Sequence, residues 1–376
     1  MDMTPAAQLA LDTILQKSTR GIPAFFCNIM EHDHIDRIAG VPRGTYRENP
    51  EQTYIAMQRA LGVCMLDQYI WYNPLSMGSE GYEYASHGAT TGARDVVVDG
   101  MMIDSPEAVV EHLEKIVFPG LKAAVESFDE EARVKQVIEG ETAVQEKLGP
   151  EILKGGYASI SFPALAYTTY GYVNYFCAYA LYPEVMEKHF SLQADVCLLN
   201  NRAVARVYGE NRLPPINRLD HDMADSRGTL ASIESLDKIW FPHFARSIEP
   251  LTKTDLKMVW HCDGNLMEMV PRLIDCGIKG FQGFQYEDGM DYKRICGMKT
   301  RDGEDLIIFA GVSVTRTLPM GKPEDVKREM EFLVRNGPKT GLFLSASSSV
   351  APGVPWENMR MFRDGLLYYR EHGRLE

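Results

Sequence analysis

A chain of 376 residues that is 45% hydrophobic has ample material for a large core, and its net charge of −13 comes without any block of lysine and arginine. An acidic chain lacking a basic stripe is a poor partner for nucleic acid or for an anionic membrane surface. No apolar run approaches the ~18 residues of a membrane span, and Met1 to Gly21 lacks the basic and apolar regions of a signal peptide. The seven cysteines are scattered and form no Cys-x-x-Cys pair, a usage that fits a reducing compartment, so the expectation is a cytoplasmic protein.

In chain order, Thr4-Pro5 opens an amphipathic helix, and apolar runs at Ile22–Ile29 and Leu61–Trp71 predict strands flanking a helix over Glu51–Ala60. Segment 73–104 resembles a β-hairpin excursion, a helix follows over Pro106–Ile116, and the acidic stretch 125–152 predicts a solvated helix pair. A strand at Gly155–Ile160 precedes helices over Pro183–Tyr208 and Ser232–Leu251. From there the alternation is regular: strands at Leu256–Trp260, Gly280–Phe284, Leu306–Gly311 and Gly341–Ser345 are each followed by a helix, over Leu266–Asp275, 291–297, Lys322–Asn336 and Pro355–His372. Strands alternating with helices imply βαβ units and a parallel sheet. Continuous rather than alternating apolar runs imply that both sheet faces are covered. No G-x-G-x-x-G or P-loop turn follows a strand, so a doubly wound nucleotide binder gives way to a (β/α)8 TIM barrel, one domain over residues 1–376 with an insertion in its N-terminal half.

In such a barrel the working residues follow the apolar strands at their carboxyl ends. After Lys257-Met258-Val259-Trp260 comes His261-Cys262-Asp263-Gly264-Asn265. Period-two geometry puts His261 and Asp263 on one face and Cys262 on the other. The pair can hold a metal through imidazole nitrogen and carboxylate oxygen or couple an acid to a base; the alternative is a structural histidine beside a capping aspartate. A second cluster, Asp220-His221-Asp222-Met223-Ala224-Asp225, offers Asp222 and Asp225 as acids and His221 as a substrate contact, or is simply a loop of Asx-turns. His32-x-His34 shares a face if extended and diverges if helical. Gln285 and Glu287 follow the strand at 280–284, and Tyr69, Trp71 and Tyr167 supply aromatic walls that would stack on a planar substrate. G-x-S-x-G and H-E-x-x-H are absent from the chain.

Four places resemble the uroporphyrinogen decarboxylase superfamily of (β/α)8 barrels, especially its corrinoid-linked methyltransferases. They are Ser161-Phe162-Pro163-Ala164; Asp220-His221-Asp222 through Arg227-Gly228 to Phe241-Pro242-His243; His261 to Asn265; and Gly321 to Val326 with Pro355-Trp356-Glu357-Asn358. Together they lie within residues 155–370, while the N-terminal half agrees in layout alone. The decarboxylases carry an arginine-rich opening signature, whereas this chain has Pro23-Ala24-Phe25-Phe26-Cys27-Asn28-Ile29. The superfamily's thiol methyltransferases bind zinc through His-x-Cys and a distant cysteine near the last strand; here stand His261-x-Asp263 and Ser345 or Ser347. A histidine and carboxylate set is harder than one with thiolate and suits an oxygen substrate. The resemblance therefore implies an O-demethylating methyltransferase that passes a methyl group from a methoxylated, aryl methyl ether-like substrate to a separate corrinoid protein. In that reading Zn²⁺ sits on His261 with Asp263 or a carboxylate of the 222/225 cluster, or else His261 or Asp222 protonates the leaving oxygen. The cobalamin would arrive on the partner, since no D-x-H-x-x-G signature occurs here. The rivals are a metal-independent decarboxylase or lyase of the superfamily, using Asp222 and His261, and a non-enzymatic binding protein.

Overall fold

The structure, a computed structural model, describes residues 3–73, 96–210 and 212–374. Its centre is a parallel sheet of β1 (Ala24–Phe25), β2 (Val63–Leu66), β3 (Leu153–Lys154), β4 (Gly156–Tyr157), β5 (Ile216–Asp220), β6 (Lys257–His261), β7 (Gly280–Gln282), β8 (Ile307–Val312) and β9 (Leu342–Ala346). The spatial order is β3-β2-β1-β9-β8-β7-β6-β5-β4. Its two outermost members are consecutive in the chain, separated by Gly155 alone, so segment 153–157 pairs with β2 at one end and with β5 at the other. Mixed α/β architecture with this parallel order is TIM-barrel-like. A Cβ on Gly156 would lie 2.1 Å from the Tyr208 hydroxyl and 2.4 Å from Asn217 Nδ2, so only glycine lets segment 153–157 pass this close.

The strands of the second half form where the continuous apolar runs predict them, and every residue of β6, β8 and β9 is buried. Trp260 turns outward against Phe244, with ring centroids 5.5 Å apart. His261, one residue further on, turns the other way, as the alternation of a strand requires. Among the described residues no helix is long and apolar enough to cross a membrane.

Several elements differ from expectation, the strands expected over Ile22–Ile29 and Leu61–Trp71 being only Ala24–Phe25 and Val63–Leu66. β5 was hidden because polar Asn217 and Arg218 sit within it; Asn217 is wholly buried, and its Nδ2 donates to the hydroxyls of Tyr208 and Ser159. Stretch 125–152 holds one long helix, Glu130–Leu148, capped by Asp129 accepting from Ala132 N–H at 2.9 Å. That helix is not solvated all round, since Glu141 is buried and paired with Lys154 of β3. The helix expected over Ser232–Leu251 breaks at Trp240 into Ile233–Ile239 and Phe241–Ile248, with Pro242 in the first turn of the second. The one expected over Leu266–Asp275 starts later, at Val270–Cys276. Of segment 73–104, strands Val96–Val98 and Met101–Ile103 form an antiparallel hairpin, while 74–95 lie outside the described residues.

Candidate active site

Register assembles the site. β5 and β6 pair with Asp220 opposite His261, and β6 and β7 with His261 opposite Gln282. Residues paired across parallel strands share a face, so these three form one row at the carboxyl ends of adjacent strands. Asp222, just beyond β5, completes a group in which ligand atoms of Asp220, Asp222 and His261 lie within 4.8 Å of one another. His261 Nε2 is 3.8 Å from Asp220 Oδ1 and 3.9 Å from Asp263 Oδ1. Asp263 is tied in twice: its N–H donates to Asp222 Oδ1 at 2.9 Å, and its Oδ2 accepts from the Ser348 hydroxyl at 3.1 Å. Its Oδ1 is buried without a hydrogen-bond partner, as is His261 Nδ1. Burial holds the Asp263 carboxyl above its ordinary range; His261 opposes that shift and the Asp222 charge adds to it. Gly283 keeps the imidazole in place, because a Cβ there would stand 2.8 Å from His261 Nδ1.

Behind this row lies a buried cation. Arg218, 4% exposed, donates to Asp67 Oδ2 at 2.6 Å, Asp220 Oδ2 at 3.2 Å, Gln282 Oε1 at 3.0 Å and Gln68 Oε1 at 3.1 Å. Its guanidinium stacks 4.7 Å over the Tyr157 ring, and the Tyr157 hydroxyl donates to the same Asp220 Oδ2 at 3.0 Å. With Oδ2 held by two donors, Asp220 presents Oδ1 to His261. A cavity of about 180 Å³ opens here, with Asn28, Gln68, Arg218, Asp220, His261, Gln282 and Ser348 among its walls and Phe26 as its aromatic member.

The other candidates are placed elsewhere. Asp225 is apart from the cluster: the Arg227 guanidinium holds its carboxyl below the usual range, and its carbonyl accepts from Asn265 N–H at 2.8 Å. That close approach is what needs glycine at 264, where φ is +87° and a Cβ would lie 2.7 Å from the Asp225 carbonyl oxygen. Cys262 points away and accepts from Met223 N–H at 3.3 Å; burial pushes its thiol up to about 12. Gln285 Oε1 accepts from Gly264 N–H at 2.6 Å, and Glu287 Oε1 accepts from the Ser313 and Thr315 hydroxyls, so both brace the loops. Tyr69 donates to Glu51 at 3.1 Å, the Trp71 carbonyl accepts from Tyr46 at 2.8 Å, and neither ring lines the cavity. His32 and His34 diverge on the helix His32–Ala39, bonding the carbonyls of Asn73 and Val354. Ser345 and Ser347 are spent on Phe26 O and Val314 N–H; Ser348 reaches Asp263, and Ser349 lines the same cavity, accepting from Asn28.

His221 packs away from the cavity, its ring stacked 5.9 Å from Tyr167 and its Nε2 accepting from Leu165 N–H at 3.0 Å, while the Tyr167 hydroxyl donates to Asp222 O at 2.8 Å. Burial pushes this imidazole from its ordinary 6.5 down to about 4. Between those values the unfolded chain binds a proton that the native chain refuses, so the contribution of His221 to stability is lost as pH falls from 6.5 to 4. Glutamine at 221 can accept from Leu165 without titrating. The margin by which wild type resists urea relative to His221→Gln should therefore shrink on going from neutral pH to pH ~5; a constant margin would contradict the assignment.

Sequence reasoning named Asp220 only as a member of its cluster, and gave no role to Arg218, Tyr157, Gln282 and Ser348. The signal for the first was present: Asp220 ends an extended run just as His261 does, once Ile216–Asp220 is recognised as a strand. The fold is similar to that of a methyltransferase from Methanosarcina mazei, with a TM-score of 0.56 and 14% identity covering 98% of this chain and 99% of that one. Weaker likenesses run to a putative vitamin-B12 independent methionine synthase from Listeria monocytogenes (TM-score 0.38, 16% identity, 62% of this chain and 68% of that one). They run also to a B12-independent methionine synthase from Shewanella sp. W3-18-1 (TM-score 0.40, 12% identity, 62% and 65%). The first shows a fold shared along nearly the whole chain. No family model and no curated protein matches the sequence.

Proposed function

We propose that this chain is an enzyme of the uroporphyrinogen decarboxylase-like barrels, its sheet closed through segment 153–157, and that it moves a methyl group from a small methoxylated compound to a corrinoid carried by a partner protein. The observation that carries the proposal is the Asp220, Asp222 and His261 cluster at the strand ends, on a fold shared with a methyltransferase. The donor set fits a divalent cation. Three carboxylates and an imidazole converge with one guanidinium already shared between Asp67 and Asp220, and Asp263 Oδ1 is buried there with no hydrogen-bond donor. His261, Asp220 and Asp222 would hold Zn²⁺, with Asp263 beside them. Zn²⁺ held there would supply Lewis acidity, favouring departure of the ether oxygen with the bonding electron pair. The reduced corrinoid supplies the nucleophile that takes the methyl group. Arg218 and Tyr157 orient Asp220, and the row Asp220, His261 and Gln282 walls the cavity where the methoxyl group would lie.

The decarboxylase alternative is less well served, because a carboxylate substrate needs a free cation and Arg218, the cation in the cavity wall, is taken up by Asp67 and Asp220. Methyl transfer from methoxylated compounds to cob(I)alamin, read in its visible spectrum, tests the proposal alongside zinc content. Turnover by zinc-loaded protein and its loss on chelation are expected. Protein that binds no zinc, or that transfers no methyl group in the presence of the cognate corrinoid protein, would overturn it.

A further inference from the structure

At the opposite end of the strands from His261, where β1 and β9 begin, lies a cavity of about 830 Å³ whose lining contains no aspartate or glutamate. In a chain of net charge −13 this is a local inversion of sign. Arg20, Lys339 and Arg374 line it together with Tyr368, His372 and Thr19, whose hydroxyl donates to Gly21 O at 3.0 Å. Arg374 is occupied, donating to the carbonyls of Val334 and Pro338 at the end of the helix Pro323–Asn336. Arg20 and Lys339 are exposed and form no ion pair among the described residues. Of the acids in neighbouring segments, Asp12 pairs with Lys17 at 2.8 Å and Asp305 with Lys299 and the Thr340 hydroxyl, while the exposed Glu371 carboxylate stands 3.9 Å from His372 Nε2. Tyr368 is 40% exposed, and its ring centroid lies 4.7 Å from that of His372.

A guanidinium and an ammonium that form no ion pair among the described residues are donors that phosphate oxygens take. An exposed aromatic pair at the same rim offers a face to a planar ring. The volume falls in the range of roughly 300–1,000 Å³ that small-molecule sites occupy. We propose that this floor cavity binds a purine nucleoside diphosphate, with its phosphates on Arg20 and Lys339 and its base against Tyr368 and His372. The site stands independently of the methyl-transfer reading, since it shares no residue with the acidic mouth.

Calorimetric titration of the full chain with ADP and GDP at physiological salt tests it. Saturable binding of at least one is expected, about tenfold weaker or worse in the Arg20→Ala/Lys339→Ala double variant. Adenosine and inorganic phosphate should each bind far more weakly than the diphosphate, and Tyr368→Ala should weaken the diphosphate while leaving phosphate unchanged. All three substituted side chains are exposed, so the variants should melt as the wild type does. Absence of saturable binding of both diphosphates up to millimolar concentration overturns the proposal, as does a double variant that binds like the wild type. Inorganic phosphate binding as tightly as ADP would overturn the nucleoside assignment.

Discussion

Asparagine in place of Asp220 is expected to lower methyl transfer by about 10²–10³-fold, the range in which loss of one preorganised electrostatic group falls. The side chain keeps its shape, so Tyr157 can still donate to the oxygen at Oδ2, but Oδ1 no longer carries charge toward His261, 3.8 Å away. Zinc content should fall in step with activity, because a neutral amide is a poorer ligand for a divalent cation than a carboxylate. The same exchange at Asp225 should change both by less than about twofold, since that carboxylate is closed off by Arg227 and lies outside the cluster. Assay of the two variants for bound zinc and for transfer to cob(I)alamin separates the assignments. Equal losses in both would mean that the register-paired row is not the working site.

The contrast between these two aspartates shows what the sequence could and could not deliver. β6, β8 and β9 announce themselves because each is buried from end to end, and a run covered on both faces has to be apolar throughout. His261 was legible for the same reason, as a polar residue closing such a run. Asp220 closes a run of another kind: Ile216-Asn217-Arg218-Leu219-Asp220 has two polar residues in its middle, and local pattern gives no hint that Tyr208, Ser159 and Asp67 will bond them. Those partners lie up to 151 residues away, Asp67 and Ser159 just past strand ends and Tyr208 in a helix. The pairing of Asp220 with His261 is likewise a matter of strand register, which period alone does not supply. Tyr69 went the other way, since an aromatic residue after a strand looks like a pocket wall until Glu51 and Lys147 are seen to hold it on the outside. The distant serine was displaced by a few residues because Ser345 is still inside β9, and the chain turns toward Asp263 only at Ser348.

Methionine in place of Arg218 is expected to destabilise the fold by about 3–5 kcal/mol, the usual cost of removing one partner from a buried ion pair. Arg218 and Asp67 have side chains 4% and 2% exposed, so the aspartate would be left buried and charged without its counter-ion. Chemical denaturation should show the loss, and the double variant Asp67→Leu/Arg218→Met should recover much of it, because an apolar pair of similar volume carries no desolvation penalty. Recovery of stability should not restore zinc binding. Asp220 Oδ2 would still lack the guanidinium and keep only Tyr157 as donor, leaving Oδ1 free to swing from His261. Lysine at 218 makes the complementary test: it returns the charge, yet one ammonium cannot reproduce the planar fork that reaches Asp67, Asp220, Gln282 and Gln68 together. Lysine should therefore recover more stability than methionine while zinc affinity stays about 10–100-fold below wild type, the usual effect of losing a group that orients a ligand. If affinity instead followed stability through all three variants, Arg218 would be a core ion pair and nothing more. If the two separate, the buried guanidinium is what aims Asp220 at the metal.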